Sequence, residues 1–289
     1  MVLNPQPESF AKLIEYNLEP EIYSFKILNS FLEYIHHNYR NVRRIHLKLD
    51  TGMHRLGFEE QDIVQLLEIL KQNPNIEIAS IFSHLVGADE SEHNGFSKTQ
   101  IERFEQMSKQ IINAFDGIKP LRHICNSAGI IRFPEAKFDM VRLGIGLYGV
   151  EVTGTEQNAL QTVGTLKTII SQIKHLKAGE TIGYSRKGIL EKDSRIATIA
   201  IGYADGFDRG FSKGVGKVLV HDTACSVVGN VCMDMTMIDV TNATCEEGDE
   251  VIIFGKDLSI NDLANSIGTI PYEILTGVSE RVKRIFYKE

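Results

Sequence analysis

The sequence predicts an α/β domain followed by a mostly β domain: an incomplete (β/α)8 TIM-like barrel over residues 1–154, lacking its first two strands, then a C-terminal β domain over residues 155–289. Three observations lead there. In the first half, strand-like runs alternate with amphipathic helical stripes, the pattern of a parallel sheet wrapped by helices. The strand count falls short of the eight that a closed α/β barrel requires. Beyond residue 155 the texture changes to short β-rich runs separated by Gly and Asp.

Taken in order, residues 1–4 read as a weak strand and 21–24 as another, followed by a helix carrying Leu28, Phe31, Leu32 and Ile35. Residues 44–49 and 76–82 are strands, with Ile63, Leu66, Leu67 and Leu70 at helical spacing between them and Asn73-Pro74 as the stop. The stripe Phe104, Met107, Ile111, Ala114 precedes a short strand at 121–124, and a further strand is expected near 139–142. That makes about six parallel strands against eight. Because Met1-Val2-Leu3 reads like the end of a strand, the missing pair is expected before residue 1, so that the chain starts inside a domain. In the second half, strands are expected at 163–174, 194–201, 216–220, 225–228, 236–240 and 250–254. They are followed by a helix opened by the capping pattern Ser259-Ile260-Asn261-Asp262, the run Pro271-Tyr272-Glu273-Ile274-Leu275, and a closing strand at 281–287.

Composition narrows the chemistry. The 289 residues are 43% hydrophobic and 24% charged with a net charge of −7, and no basic run exceeds Arg43-Arg44, which argues against a nucleic-acid backbone as partner. No apolar run approaches the roughly 18 residues of a bilayer span, and the N-terminus has no signal-peptide pattern, so a cytoplasmic protein without membrane contact is expected. Cys125, Cys225, Cys232 and Cys245 form no C-x-x-C pair and read as free thiols.

Four stretches carry functional side chains at places where such a barrel keeps its chemistry, the C-terminal ends of strands. They are Lys48 to Phe58 (K-L-D-T-G-M-H-R-L-G-F), Phe82 to Asp89, Cys125 to Gly129, and Val141 to Gly149. Singly, each also suits plain turn geometry. Small hydroxyl and amide residues opening a helix, as at Asn126-Ser127, leave N–H groups free to receive phosphate.

With the later motifs G-Y-S, I-G-Y-A-D-G, G-N-V-C-M-D-M-T-M-I-D-V and P-Y-E-I-L-T-G in the same order, the chain resembles the alanine racemase family over nearly its whole length. The resemblance implies interconversion of L- and D-alanine on pyridoxal 5'-phosphate by two bases on opposite faces of the substrate, supplying D-alanine for peptidoglycan. By the same resemblance Tyr184 is the base for the L-alanine face, tuned by His84 with Arg142 behind it. Arg142 also faces the pyridine nitrogen. Asn126, Ser127, Gly144, Ile145 and Tyr272 hold the phosphate end. Arg55 and Met233 take the substrate carboxylate, with Lys48 as the lysine that many members carbamylate. Tyr203 and Asp234 line the entrance, and a homodimer with shared active sites is implied.

One departure bears on activity. The family tethers its cofactor through a Schiff-base lysine in a motif like V-K-A-N-A-Y-G-H-G, and no lysine here stands in that context. The chain alone is therefore expected to be a truncated form, inactive or nearly so. The competing expectations are a broader amino-acid racemase and a non-catalytic remnant or binding module.

Overall fold

Parallel pairing organises the first half. In this computed structural model, which describes residues 1–38, 41–154 and 159–287, the strands β1 (Glu21–Ile22), β2 (Arg43–Lys48), β3 (Ile76–Phe82) and β4 (Leu121–His123) lie in sequence order in one parallel sheet. Around them run α1 (Phe10–Glu15), α2 (Phe25–Asn38), α3 (Ile63–Lys71), α4 (Asn94–Asn113) and α5 (Ser127–Arg132). Side chains on a strand alternate between faces. Ile45, Leu47 and Leu49 accordingly join Leu28, Phe31, Leu66, Phe104 and Ile111 in one apolar core, each such burial contributing about 1.5–3 kcal/mol. His46 and Lys48 fall on the opposite face.

Register makes that second face polar. Ile45 pairs with Ile78 but His46 pairs with Ser80, so β3 carries one extra residue, Ala79, at this point. A bulge of this kind flips which side chains share a face. It brings Ser80 alongside His46 instead of leaving it with Ile78.

The strand count departs from expectation. The weak strand at 1–4 reduces to a single bridge between Val2 and Pro20, and no strand forms at 139–142. There, Asp139 N–H donates to the Arg122 carbonyl, but the Arg122 N–H is taken by the Asp139 carboxylate at 2.8 Å rather than by a carbonyl. A side chain has replaced the ladder partner. The parallel sheet thus has four strands among the described residues, not six.

The chain divides into two compact units, the first holding Met1–Gly144 and the segment beginning at Glu151, the second holding Ile145–Val150 and the described residues from 159 onward. The second unit has a six-stranded antiparallel sheet in the spatial order Thr223–Ser226, Lys217–Val220, Glu250–Phe254, Leu166–Leu176, Ser194–Ile199, Thr236–Asp239. Its strands are β5 (Leu166–Leu176), β8 (Ser194–Ile199), β9 (Lys217–Val220), β10 (Thr223–Ser226), β11 (Thr236–Asp239) and β12 (Glu250–Phe254), with β6 (Thr181–Ile182) and β7 (Gly188–Ile189) as a separate ribbon. Two short helices follow, α6 (Ile260–Ser266) and α7 (Pro271–Gly277), and the Ser259 hydroxyl caps α6 by accepting the Asn261 N–H at 3.1 Å.

The closing strand expected at 281–287 does not form. The Arg284 guanidinium donates to the carbonyls of Val278, Ser279 and Val282, which curls the chain back on itself instead of extending it. Among the described residues no helix is long and apolar enough to cross a membrane.

Candidate active site

At the C-terminal edge of the parallel sheet, three strands end within four residues of a chemically useful side chain. Lys48 is the last residue of β2, His84 lies two residues past β3, and Asn126 and Ser127 follow β4. Arg142 ties them together. Its Nη2 donates to the Ser83 carbonyl at 2.7 Å, the Ile124 carbonyl at 3.2 Å and His84 Nδ1 at 3.4 Å, while Nη1 meets His123 Nδ1 and the His123 carbonyl. Phe82 forms a floor: the guanidinium lies 5.3 Å from the ring centroid, the Lys48 ammonium 4.7 Å, and the His123 ring stacks on it at 5.0 Å.

Every partner that accepts from Arg142 is neutral. Burial lowers the guanidinium's pKa to about 10, so it stays charged at neutrality. The two histidines respond: burial first, then the arginine charge, lowers His84 to about 4 and His123 to about 3. Both rings are neutral at pH 7. Unfolded histidines take up a proton near pH 6.5, which these folded ones refuse. Stability is therefore expected to be level above about pH 7 and to fall as the pH drops below about 6.5, continuing down to the folded pKa values; urea midpoints across that range check the sign.

Lys48 is buried, and desolvation followed by Arg142 lowers its pKa to about 8. It is the one lysine of the first unit, among the described residues, that is withdrawn from solvent. A substantial neutral fraction of amine is the form that reacts with carbon dioxide or a carbonyl carbon.

The loop after β2 is built by one carboxylate. Asp50 Oδ1 accepts the N–H groups of Gly52, Met53 and His54 at 2.9, 3.0 and 3.1 Å, turning the chain so that Arg55 stands exposed beside the Lys48 and His84 group, close enough for its charge to lower both. The return runs through Gly57, at φ +132°, where an added Cβ would sit 2.5 Å from the Asp50 nitrogen. Gly57→Ala is expected to cost about 1–3 kcal/mol, with a lowered Tm in calorimetry; an unchanged Tm would mean that the loop has room the backbone does not show.

The phosphate-side candidates meet in part. The Asn126 side chain caps α5 by accepting the Gly129 N–H at 2.9 Å and donates to the Leu85 carbonyl at 3.3 Å. The Ser127 hydroxyl accepts the Gly144 N–H at 2.9 Å, so these two residues are directly joined. Ile145 is buried and begins the stretch that belongs to the second unit.

The remaining candidates lie in the second unit, where Tyr184, Tyr203, Met233 and Asp234 share linked loops and Tyr272 stands on α7. Tyr203 N–H donates to the Cys232 carbonyl and Ala204 N–H to the Met233 carbonyl, each at 3.0 Å, across an approach so close that a Cβ on Gly202 would sit 2.3 Å from the Cys232 oxygen. Asn230 Nδ2 donates to the Tyr184 carbonyl at 3.2 Å, which ties Tyr184 to the same loop. Tyr184 is 73% exposed, and Tyr203, Met233 and Tyr272 are also open to solvent. Arg281 bridges Asp205 at 2.8 Å and Asp234 at 2.6 Å. The sequence marks that role only by the basic run Arg281, Lys283 and Arg284. His123 stands just ahead of the Cys125 to Gly129 run, four residues before Ser127, and nothing local in the sequence marks it as a partner of Arg142.

The donor set suits an anionic, planar cofactor. Among the described residues no acceptor meets Arg142 Nε, and the side chain is only half-buried, so one charge-bearing N–H remains to offer. Residues 1–152 match the model for the N-terminal domain of alanine racemase and residues 163–286 that for its C-terminal domain. This chain belongs to the alanine racemase family.

An alanine racemase of Clostridium tetani is 36% identical over 299 aligned positions, covering 100% of this chain and 76% of the relative, and one of Methanococcus maripaludis is 37% identical over 96% of this chain and 76% of its own length. Among solved structures, the alanine racemase of D-cycloserine-producing Streptomyces lavendulae superposes with a TM-score of 0.92 at 28% identity, covering 99% of this chain and 77% of that one. The alanine racemase of Bartonella henselae with covalently bound pyridoxal phosphate superposes at 0.88 and 28% identity, covering 99% and 78%. The β/α unit and the β-rich unit are those of the alanine racemase fold.

Proposed function

We propose that the protein interconverts L- and D-alanine with pyridoxal phosphate as cofactor, with its residues in the following roles. The observation that carries this reading is Arg142, whose terminal nitrogens are spent on neutral acceptors while Nε keeps an unused N–H. When bound, pyridoxal phosphate withdraws electrons from the substrate's Cα–H bond and makes that proton removable. Arg142 holds the ring nitrogen by donation, leaving it unprotonated. Ser127, Asn126, Gly144, Ile145 and Tyr272 hold the phosphate, where hydroxyls and backbone N–H groups are the right donors.

Arg55 orients the alanine carboxylate, and the Met233 N–H assists it. Tyr184 carries the proton on the L-alanine face at its hydroxyl, and neutral His84 accepts a hydrogen bond at Nδ1 from Arg142, which puts its own proton on Nε2. Tyr203 and Asp234 narrow the entrance. In this reading a second copy completes the site, supported by the exposure of Tyr184, Tyr203 and Met233 on one linked set of loops. The organisation is a unit of the β/α-barrel type over 1–154 and a β domain over 155–289. A reducing compartment accords with four free thiols.

The test is deuterium entry at Cα of L-alanine in heavy water with added pyridoxal phosphate. The polypeptide is expected to exceed the free cofactor, with Ser127→Ala weakening cofactor binding about tenfold, as one charge-assisted hydrogen bond is worth. No acceleration over free cofactor would overturn the reading. A second reading, cofactor binding without turnover, is favoured by the absence of the V-K-A-N-A-Y-G-H-G motif from residues 1–289. Equilibrium binding of pyridoxal phosphate, measured beside deuterium entry, separates the two: binding with no acceleration over the free cofactor favours the second.

A further inference from the structure

We propose that Ser80 and His46 are positioning residues for Arg142, links of a one-way hydrogen-bond chain that runs from Arg142 through His123 and Ser80 to His46, whose Nε2 faces the Glu19 carboxylate. The chain crosses three neighbouring strands on the polar face of the parallel sheet: His123 on β4, Ser80 on β3, His46 on β2. His123 Nδ1 faces Arg142 Nη1, His123 Nε2 lies 3.1 Å from Ser80 Oγ, and Ser80 Oγ lies 2.6 Å from His46 Nδ1. His46 Nε2 is 2.8 Å from Glu19 Oε2, though off the line of its N–H bond, so this last link is the loosest.

Direction follows from what each end can do. A guanidinium has N–H groups only, so His123 Nδ1 must accept. The neutral ring then carries its proton on Nε2 and donates it to Ser80. The single Ser80 hydroxyl hydrogen is left for His46 Nδ1, and His46 keeps its own proton on Nε2, facing Glu19. A carboxylate only accepts. Starting from Glu19 and working back yields the same protons in the same places, so no link sets two donors or two lone pairs against each other.

Burial supports this assignment. Ser80 is 1% and His123 0% exposed, and desolvation is the largest influence on both imidazoles, lowering each, which keeps the rings neutral. A charged His46 would donate from Nδ1, and the Ser80 hydrogen would then have no acceptor in the chain. The bulge at Ala79 is what puts Ser80 opposite His46; with regular pleating its hydroxyl would point to the apolar face.

For Arg142 the consequence is twofold. Its partner His123 is locked in the tautomer that accepts, and the Glu19 charge is kept at the far end of the chain, so the arginine's positive charge is not spent on a neighbouring carboxylate. That benefit rests on the reading that Arg142 faces the cofactor ring; the wiring itself does not.

The experiment uses the 289-residue chain labelled with 15N-histidine, without cofactor, in long-range 1H–15N spectra at neutral pH. His46 and His123 are expected as neutral rings protonated at Nε2. Protonation of either at Nδ1, or a charged ring, overturns the proposal. Ser80→Ala is expected to redistribute the His123 tautomers and to weaken pyridoxal-phosphate binding about tenfold, and Ser80→Thr, which keeps the hydroxyl, to restore both. An Ser80→Ala chain with unchanged His123 signals also overturns it. If the tautomers are as expected and pyridoxal phosphate fails to bind, the proposed function fails while the wiring stands.

Discussion

Replacing Arg142 with leucine is expected to abolish retention of pyridoxal phosphate and to slow deuterium entry into L-alanine by about 10²–10³-fold, the range for loss of one preorganised donor at a reacting centre. The reason is the number of groups that this one side chain serves. Its removal strands the carbonyls of Ser83 and Ile124 and the Nδ1 atom of His123, whereas the His123 carbonyl keeps the Ser83 N–H at 3.2 Å. Each buried unsatisfied acceptor costs about 1–3 kcal/mol, so a lower urea midpoint should accompany the lost binding. Arg142→Lys keeps the charge but cannot reach acceptors on both sides of a planar fork. It should recover part of the stability and little of the binding. Full cofactor binding by Arg142→Leu would remove the arginine from the site altogether.

Tyr184→Phe is the second large effect. It deletes one hydroxyl from a side chain that is 73% exposed, so the Tm should hardly move. Loss of a positioned acid–base group typically costs about 10²–10⁴-fold. Deuterium entry from the L-alanine face should fall by that amount, with pyridoxal-phosphate affinity changed less than about twofold. Exchange rates equal to those of the unsubstituted chain would assign the L-face proton to another group. Because fold and cofactor pocket are left alone, this substitution isolates proton transfer from binding, whereas Arg142→Leu removes both together.

Much of this site was legible because its side chains come in unbroken runs. Lys48 to Phe58 and Phe82 to Asp89 place their residues where a strand has just ended, Val141 to Gly149 follows no strand, and the structure joins Lys48, His84, Arg142, Ser127 and Gly144 around one edge. What could not be read depends on pairings between distant residues. Asp139 looked like part of a strand because its neighbours are apolar, but its carboxylate takes the Arg122 N–H. Arg284 sits in a run of β-formers, yet its guanidinium gathers three carbonyls and no ladder forms. The Ala79 bulge leaves no local mark in Ile76-Glu77-Ile78-Ala79-Ser80-Ile81-Phe82, which reads as an ordinary strand. Without that bulge in view, nothing marked His46, Ser80 and His123 as related. Arg281 was likewise invisible, since its two carboxylate partners, Asp205 and Asp234, lie 76 and 47 positions away.

On the proposal that Arg55 takes the substrate carboxylate, the Asp50 carboxylate, with its three N–H contacts, bears on how fast and how tightly a small amino acid docks. A recognition segment that is shapeless before its ligand arrives must surrender conformational freedom at the moment of capture, and the affinity suffers accordingly. Here the turn leading to Arg55 is wound beforehand by an internal anion that never leaves. Amide protons of Gly52, Met53 and His54 should consequently resist solvent exchange just as well in the empty protein as in one saturated with alanine.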